Sequence, residues 1–197
     1  MGVPTGNFRS EGYEWITNRD LVDSAHELMG GIDLDPASSA KANEYVGARS
    51  FFTPQDDGLN DQQWFGRVYV FPPPNTYFWD RKNDCWKPTR GMSPSLTSGH
   101  AVWWRTLKKK WLAREVEQAV FFSNFIDTVM YNQDMFDFPV CIMKARPTLL
   151  RHYFDDNRIE RKRTGCAVIV YLQPQDQTSE KTQEFIDIYS EKGRILV

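Results

Sequence analysis

Apolar positions recur along this chain in two rhythms. Over residues 19–29, Leu21, Val22, Ala25, Leu28 and Met29 fall three and four apart, the spacing of one helix face, and Gly30-Gly31 supplies the left-handed cap that ends such a helix. The same rhythm at Trp104, Leu107, Trp111 and Leu112 predicts a helix over 101–117, and at Phe185, Ile186 and Tyr189 one over 182–191. A further helix is expected over 38–48. Short apolar runs, β-branched or aromatic, predict buried strands at 32–34, 68–71, 120–123, 140–144, 167–172 and 194–197. Strands alternating with helices imply an α/β sheet. Residues 1–13, broken by Gly2, Pro4, Gly6 and Gly12, read as an irregular arm. Residues 72–100, rich in Pro, Gly, Ser and aromatic side chains, are too long and irregular for an ordinary connection.

The run Arg67-Val68-Tyr69-Val70-Phe71 stops in Pro72, Pro73 and Pro74, followed by Asn75. Proline fixes φ and lacks an N–H, so the ladder ends at Phe71 and the next residues form a stiff shelf at the strand's carboxyl end. In an open α/β sheet that edge is where ligands sit. Upstream, Gly31-Ile32-Asp33-Leu34-Asp35-Pro36-Ala37-Ser38 ends another apolar run in acid, proline and small residues. A carboxylate at a strand tip can accept from ribose hydroxyls or an amino group. Between the two lies Phe51-Phe52-Thr53-Pro54-Gln55-Asp56-Asp57-Gly58-Leu59, a turn with a second carboxylate pair, and ahead of both comes Glu14-Trp15-Ile16-Thr17-Asn18.

In this order the motifs resemble the phage-type, Dam-like DNA N6-adenine methyltransferases, densely over residues 15–73 and more thinly beyond, through Ser123-Asn124-Phe125-Ile126-Asp127-Thr128, Lys144-Ala145-Arg146 and the 167–171 run. The resemblance implies a Rossmann-like, S-adenosylmethionine-dependent methyltransferase fold, a mixed but mostly parallel sheet flanked by helices. It implies S-adenosyl-L-methionine as cofactor, held by Trp15, Thr17, Asp33, Asp35, Pro36 and Asp57, with DNA as partner. Two positions depart from it. Asn18 stands where the family has proline. The family's signature Asn-Pro-Pro-Tyr, or Asp in its first position, reads Phe71-Pro72-Pro73-Pro74 here. The family's Asn or Asp side chain and the carbonyl after it accept from the adenine amino group and align its lone pair on the methyl donor, and its Tyr stacks on the flipped base. Phe71 carries no acceptor and Pro74 only a small apolar ring, which leaves Asn75 as the polar candidate of that corner.

Composition narrows the classes. The chain has 197 residues, enough for one domain with a real core, and an aromatic share of 14% excludes a disordered polymer. A net charge of −2 argues against simple coating of nucleic acid, yet residues 80–114 hold nine basic against two acidic side chains. Interleaved with Trp79, Trp86, Trp103, Trp104 and Trp111, the cations Arg105, Lys108, Lys109 and Lys110 form a candidate DNA-binding face, joined by Arg146 and by the cluster Arg158, Arg161, Lys162 and Arg163. A core-facing tryptophan stripe backed by a solvated lysine face would give the same pattern. The insertion at about 75–100 is a natural place for substrate selection.

Cys85, Cys141 and Cys166 lack metal spacing, and Cys141 and Cys166 read as reduced core residues; no metal is expected. His26, His100 and His152 are scattered, and Asp127-Thr128 reads as a site element or a helix cap. Without an apolar leader or an eighteen-residue apolar span the protein is expected to be intracellular and soluble, in host cytoplasm if phage-encoded, with no membrane partner. Two functions follow: an adenine-methylating enzyme with a rebuilt catalytic corner, or an inactive homologue that binds DNA or a partner subunit, including another copy of itself.

Overall fold

Strands that are apolar without alternation are buried on both faces, and in this protein they occupy the middle of the largest sheet. The computed structural model describes residues 12–60, 62–89 and 96–197; residues 1–11 of the arm expected over 1–13, and Arg90 of the basic segment, lie outside the described residues, and Tyr13 of that arm opens a strand. The chain begins with β1 (Tyr13–Ile16), α1 (Arg19–Met29), β2 (Leu34–Asp35), α2 (Ala40–Val46), β3 (Ser50–Phe51) and β4 (Gly66–Val70). There follow β5 (Thr76–Asp80), β6 (Cys85–Thr89), β7 (Thr97–Ser98), α3 (Gly99–Leu112), β8 (Val116–Ser123), α4 (Thr128–Tyr131) and a 3₁₀ turn (Gln133–Asp137). The chain closes with β9 (Val140–Met143), β10 (Thr148–Tyr153), β11 (Ile159–Arg163), β12 (Val168–Leu172), α5 (Thr178–Tyr189) and β13 (Gly193–Leu196).

The seven-stranded sheet has the order β13-β9-β12-β8-β4-β2-β3. The period of two in its strands sorts the core into two layers. Val68 and Val70 of β4, Ala119 and Phe121 of β8, and Val168 and Val170 of β12 face α3, with Trp103, Trp104 and Leu107. Tyr69, Val120, Phe122, Ile169 and Tyr171 face the other way, onto α1 and α5.

The expected mostly parallel, Rossmann-like sheet is overturned. The protein is mixed α/β, with thirteen strands in three sheets and five α-helices among the described residues. Only β2 with β3, β2 with β4, and β4 with β8 pair parallel. The other strands of the large sheet are antiparallel, as are both three-stranded sheets, β1-β10-β11 and β6-β5-β7. The reason is local. Ile159–Arg163 and Cys85–Thr89 are half-exposed hairpin strands, polar on one side, so they lack the apolar run that marks a buried strand. The 72–100 stretch that reads as irregular accordingly holds a hairpin. The helix expected over 101–117 ends at Leu112, and β8 begins at Val116 after a turn in which Arg114 takes a left-handed φ of 59°. Cys166, expected in the core, is exposed because β12 starts two residues later. Among the described residues no helix is long and apolar enough to cross a membrane, and no group of His, Cys, Asp or Glu is placed to hold a metal.

Candidate nucleic-acid interface

β4 and β8 are parallel neighbours, so Phe71 and Asn124, each the residue just past its strand, emerge side by side at one sheet edge. Pro72 has no N–H to continue the ladder, and the proline shelf is tied down behind it. Asn75 donates its N–H to the Pro73 carbonyl at 2.8 Å, and its own carbonyl accepts from Gly99 at 2.7 Å. A Cβ on Gly99 would lie 2.6 Å from the Asn75 carbonyl oxygen, so the close seating of α3 against the shelf requires glycine there.

The edge opens into a cleft of about 490 Å³ lined by Trp15, Phe71, Pro72, Pro74, Asn124, Phe125, Arg146, Arg151, Lys162, Arg163, Thr164 and Gly165. Phe71, Pro72, Pro74 and Phe125 make one side apolar, and the β1-β10-β11 sheet and its flanks bring Trp15 together with Arg146, Arg151, Lys162 and Arg163. Among the described residues no carboxylate lines it. The Arg151 guanidinium lies 4.3 Å from the Tyr13 ring centre and 4.6 Å from that of Trp15, and Nη1 donates to the Tyr153 hydroxyl at 3.3 Å. That hydrogen bond holds its pKa above the ordinary arginine value, while Nε is buried without a partner. Lys162 pairs with Glu160 at 3.0 Å, and Glu160 also stands across the strands from Arg151. Arg146 and Arg163 have no ion-pair partner among the described residues. Without ion pairs, these two guanidiniums give the cleft uncompensated positive charge, which favours anions.

Of the residues assigned to the cofactor corner, only Trp15 lines this cleft. Asp33 does not share the edge: it precedes β2 and pairs with Arg67 at 2.7 Å and Arg49 at 3.2 Å, at the amino ends of the strands, where the Arg67 hydrogen bond lowers its pKa to about 2. Thr17 is buried and accepts from the Tyr69 hydroxyl at 3.2 Å. Asp35 is 3% exposed, turned into its own turn to accept from Ala37 N–H at 3.1 Å, and burial raises its pKa to about 7. Pro36 presses its carbonyl onto Gly58, and Asp57, exposed at a left-handed φ of 53°, accepts from Asn60 at 2.9 Å. A ribose needs a carboxylate presented to it. Of these three acids Asp33 is neutralised, Asp35 is enclosed and only Asp57 is open, so the residues present do not fit S-adenosylmethionine at the expected corner.

The enclosure of Asp35 has a measurable consequence. A carboxyl whose pKa is raised on folding binds its proton more tightly in the native state, so it subtracts stability as pH rises from about 4 through 7. Asp35→Asn keeps an acceptor for Ala37 without the charge. It is expected to raise the melting temperature at pH 8 and to leave that at pH 4 nearly unchanged. An unshifted melting temperature at pH 8 would mean that the carboxylate is solvated.

The catalytic assignments divide similarly. Phe71 packs on Phe122 with ring centres 5.1 Å apart and, with Pro72 and Pro74, forms the apolar wall; Pro73 supplies the carbonyl that anchors Asn75. Asn75 itself does not face the cleft, its side chain being hydrogen-bonded to Tyr77. The basic helix face is largely spent. Arg105 donates to Asn132 at 3.2 Å, Lys108 pairs with Asp134 at 2.8 Å, and Lys110 donates to the Gln62 carbonyl and Glu115, both at 2.9 Å. Arg105 and Lys109 are exposed and make no ion pair among the described residues, and of the predicted DNA contacts only Arg146 lines the cleft. Trp103 and Trp104 are core, and Trp111 is half-buried with Nε1 donating to the Gln173 carbonyl at 2.8 Å.

His100 is buried, bonded to Ser123 at 2.9 Å and held neutral by burial, which lowers its pKa to about 3; Thr128 joins the same group at 3.1 Å from Ser123. His152 bridges Glu14 and Asn157 and so ties β1 to the β10–β11 hairpin. Asn124, Phe125, Arg151 and Thr164 are site residues that sequence reasoning misses. Asn124 and Phe125 stand in the strand-end motif, but Arg151 carries no signal beyond a lone charge in the apolar run Thr148–Tyr153.

No protein-family model matches this chain, and neither a curated protein nor a solved structure is significantly similar to it.

Proposed function

We propose that this protein binds DNA through the cationic cleft at the carboxyl ends of β4 and β8 and does not methylate it. One observation carries the reading: Arg146 and Arg163, which have no ion pair among the described residues, share one cleft with Arg151 and with the aromatic rings of Trp15, Phe71 and Phe125. Phosphates are met by guanidinium groups and bases by flat apolar faces, the pairing that nucleic-acid grooves use. The motif resemblance to Dam-like adenine methyltransferases supports DNA as the ligand. The chemistry of the corner speaks against transfer. Phe71 cannot accept from an amino group, and Asp33 and Asp35 are unavailable to a cofactor. Loss of one alignment hydrogen bond costs about 2.7–4 kcal/mol in the transition state, a hundred- to a thousandfold in rate.

Incubation with isotopically labelled S-adenosylmethionine and DNA of mixed sequence, followed by mass spectrometry, is expected to show binding of the DNA but no label on adenine N6 above background. Phe71→Asn combined with Pro74→Tyr is expected to remain inert, because the cofactor corner is closed as well. Label on adenine N6 from the wild-type protein would make it an enzyme.

A further inference from the structure

We infer that the cleft takes single-stranded DNA in preference to duplex, and that Asn124 reads the edge of one unstacked base. The inference rests on the nucleic-acid reading above and narrows its ligand.

The distribution of uncompensated charge is the first reason. Duplex DNA presents a phosphate charge about every 1.7 Å, and proteins that hold it without sequence preference spread many cations along it. Here Lys108 and Lys110 of α3 are paired with Asp134 and Glu115 and Arg105 is tied to Asn132, whereas Arg146 and Arg163, without ion pairs among the described residues, both line one cleft. At about 490 Å³ that cleft has the size of a small-molecule site, matched to a nucleotide or two rather than to the width of a double helix.

The walls are the second reason. Trp15, Phe71, Phe125 and the proline rings offer faces, and a base inside a duplex has both of its own faces covered by neighbours. A single strand brings faces that are already free.

Asn124 supplies the polar element. It is 9% exposed, lies in the cleft beside Phe71 and Pro72, and its side-chain amide makes no hydrogen bond among the described residues. Its backbone is pinned: a Cβ on Gly165 would lie 2.7 Å from the Asn124 carbonyl oxygen, so the 164–166 segment closes tightly over that carbonyl while the amide stays in the cleft. A side-chain amide carries a donor and an acceptor side by side. By turning over it matches the amino-bearing edge of adenine or cytosine, or the carbonyl-bearing edge of guanine or thymine. The cleft therefore accepts any base, and purines gain over pyrimidines through stacking area alone.

Fluorescence anisotropy with a labelled ten-nucleotide single strand and the duplex of the same sequence tests this. The single strand is expected to bind at least tenfold more tightly. Its affinity should fall with salt at a slope near −2 on logarithmic axes, the value for about three phosphates on a single strand. Asn124→Ala should weaken the single strand about fivefold with an unchanged melting temperature. Asn124→Asp, of the same size but repelling phosphate, should weaken it further. Duplex bound as tightly as the single strand would overturn the inference and leave the nucleic-acid reading standing; unchanged affinity in both Asn124 variants would remove that residue's role. Failure of both oligonucleotides to bind would overturn the nucleic-acid reading itself.

Discussion

Reversing Arg146 and Arg163 together to Glu is expected to abolish DNA binding, lowering affinity at least about a hundredfold while the protein keeps its melting temperature. Each guanidinium reaches the cleft without an ion-pair partner among the described residues, so neither is needed to neutralise a neighbour, and its removal leaves no orphaned carboxylate behind. A charge-assisted hydrogen bond is worth about 1.5–3 kcal/mol, so two lost contacts account for about 3–6 kcal/mol before repulsion is added. The control is Lys108→Glu with Lys110→Glu. Those lysines already serve Asp134 and Glu115, so their reversal should cost stability and leave DNA affinity nearly intact. Should the Arg146 and Arg163 reversals bind like the wild type while the lysine reversals do not, the interface would belong on α3.

Trp104→Ala is expected to have the largest effect on the fold, about 3–5 kcal/mol of stability, and none on DNA affinity in the protein that remains folded. Trp104 is wholly buried, packed edge-on to Phe121 at 5.5 Å and Phe138 at 5.7 Å, with Nε1 donating to Asp134 at 3.1 Å. Truncation opens a cavity and removes one hydrogen bond from Asp134, which keeps Lys108. In a chain of this length the loss corresponds to a fall in melting temperature of about 6–20 °C, read by calorimetry or near-ultraviolet circular dichroism. A variant as stable as the wild type but unable to bind DNA would return the tryptophan stripe to the interface.

Amphipathic helices were legible in the linear order of residues. The stripe Leu21, Val22, Ala25, Leu28 and Met29 is buried as its spacing requires, and the apolar runs ending at Phe71 and Ser123 are the central strands. Half-exposed strands were not legible. Ile159–Arg163 carries three cations and one acid in five residues, which reads as a solvated segment until Thr148–Tyr153 pairs with it and gives its backbone groups partners.

By itself, then, the sequence determined the elements whose burial is written in their own periodicity, and the proline stop that ends β4. It also set the absence of an acceptor at position 71, which no packing can restore. Tertiary structure alone decided what each charge is for. Asp33 and Asp35, one residue apart from a common neighbour, end up neutralised by Arg67 and enclosed in a turn. Lys108 and Lys110 are spent on carboxylates, whereas Arg146 and Arg163, seventeen positions apart in the chain, meet without ion pairs in one cleft. Local pattern depends on neighbours in sequence, while the fate of a charge depends on which opposite charge the fold brings within about 4 Å, and that distance is a property of sheet order and register.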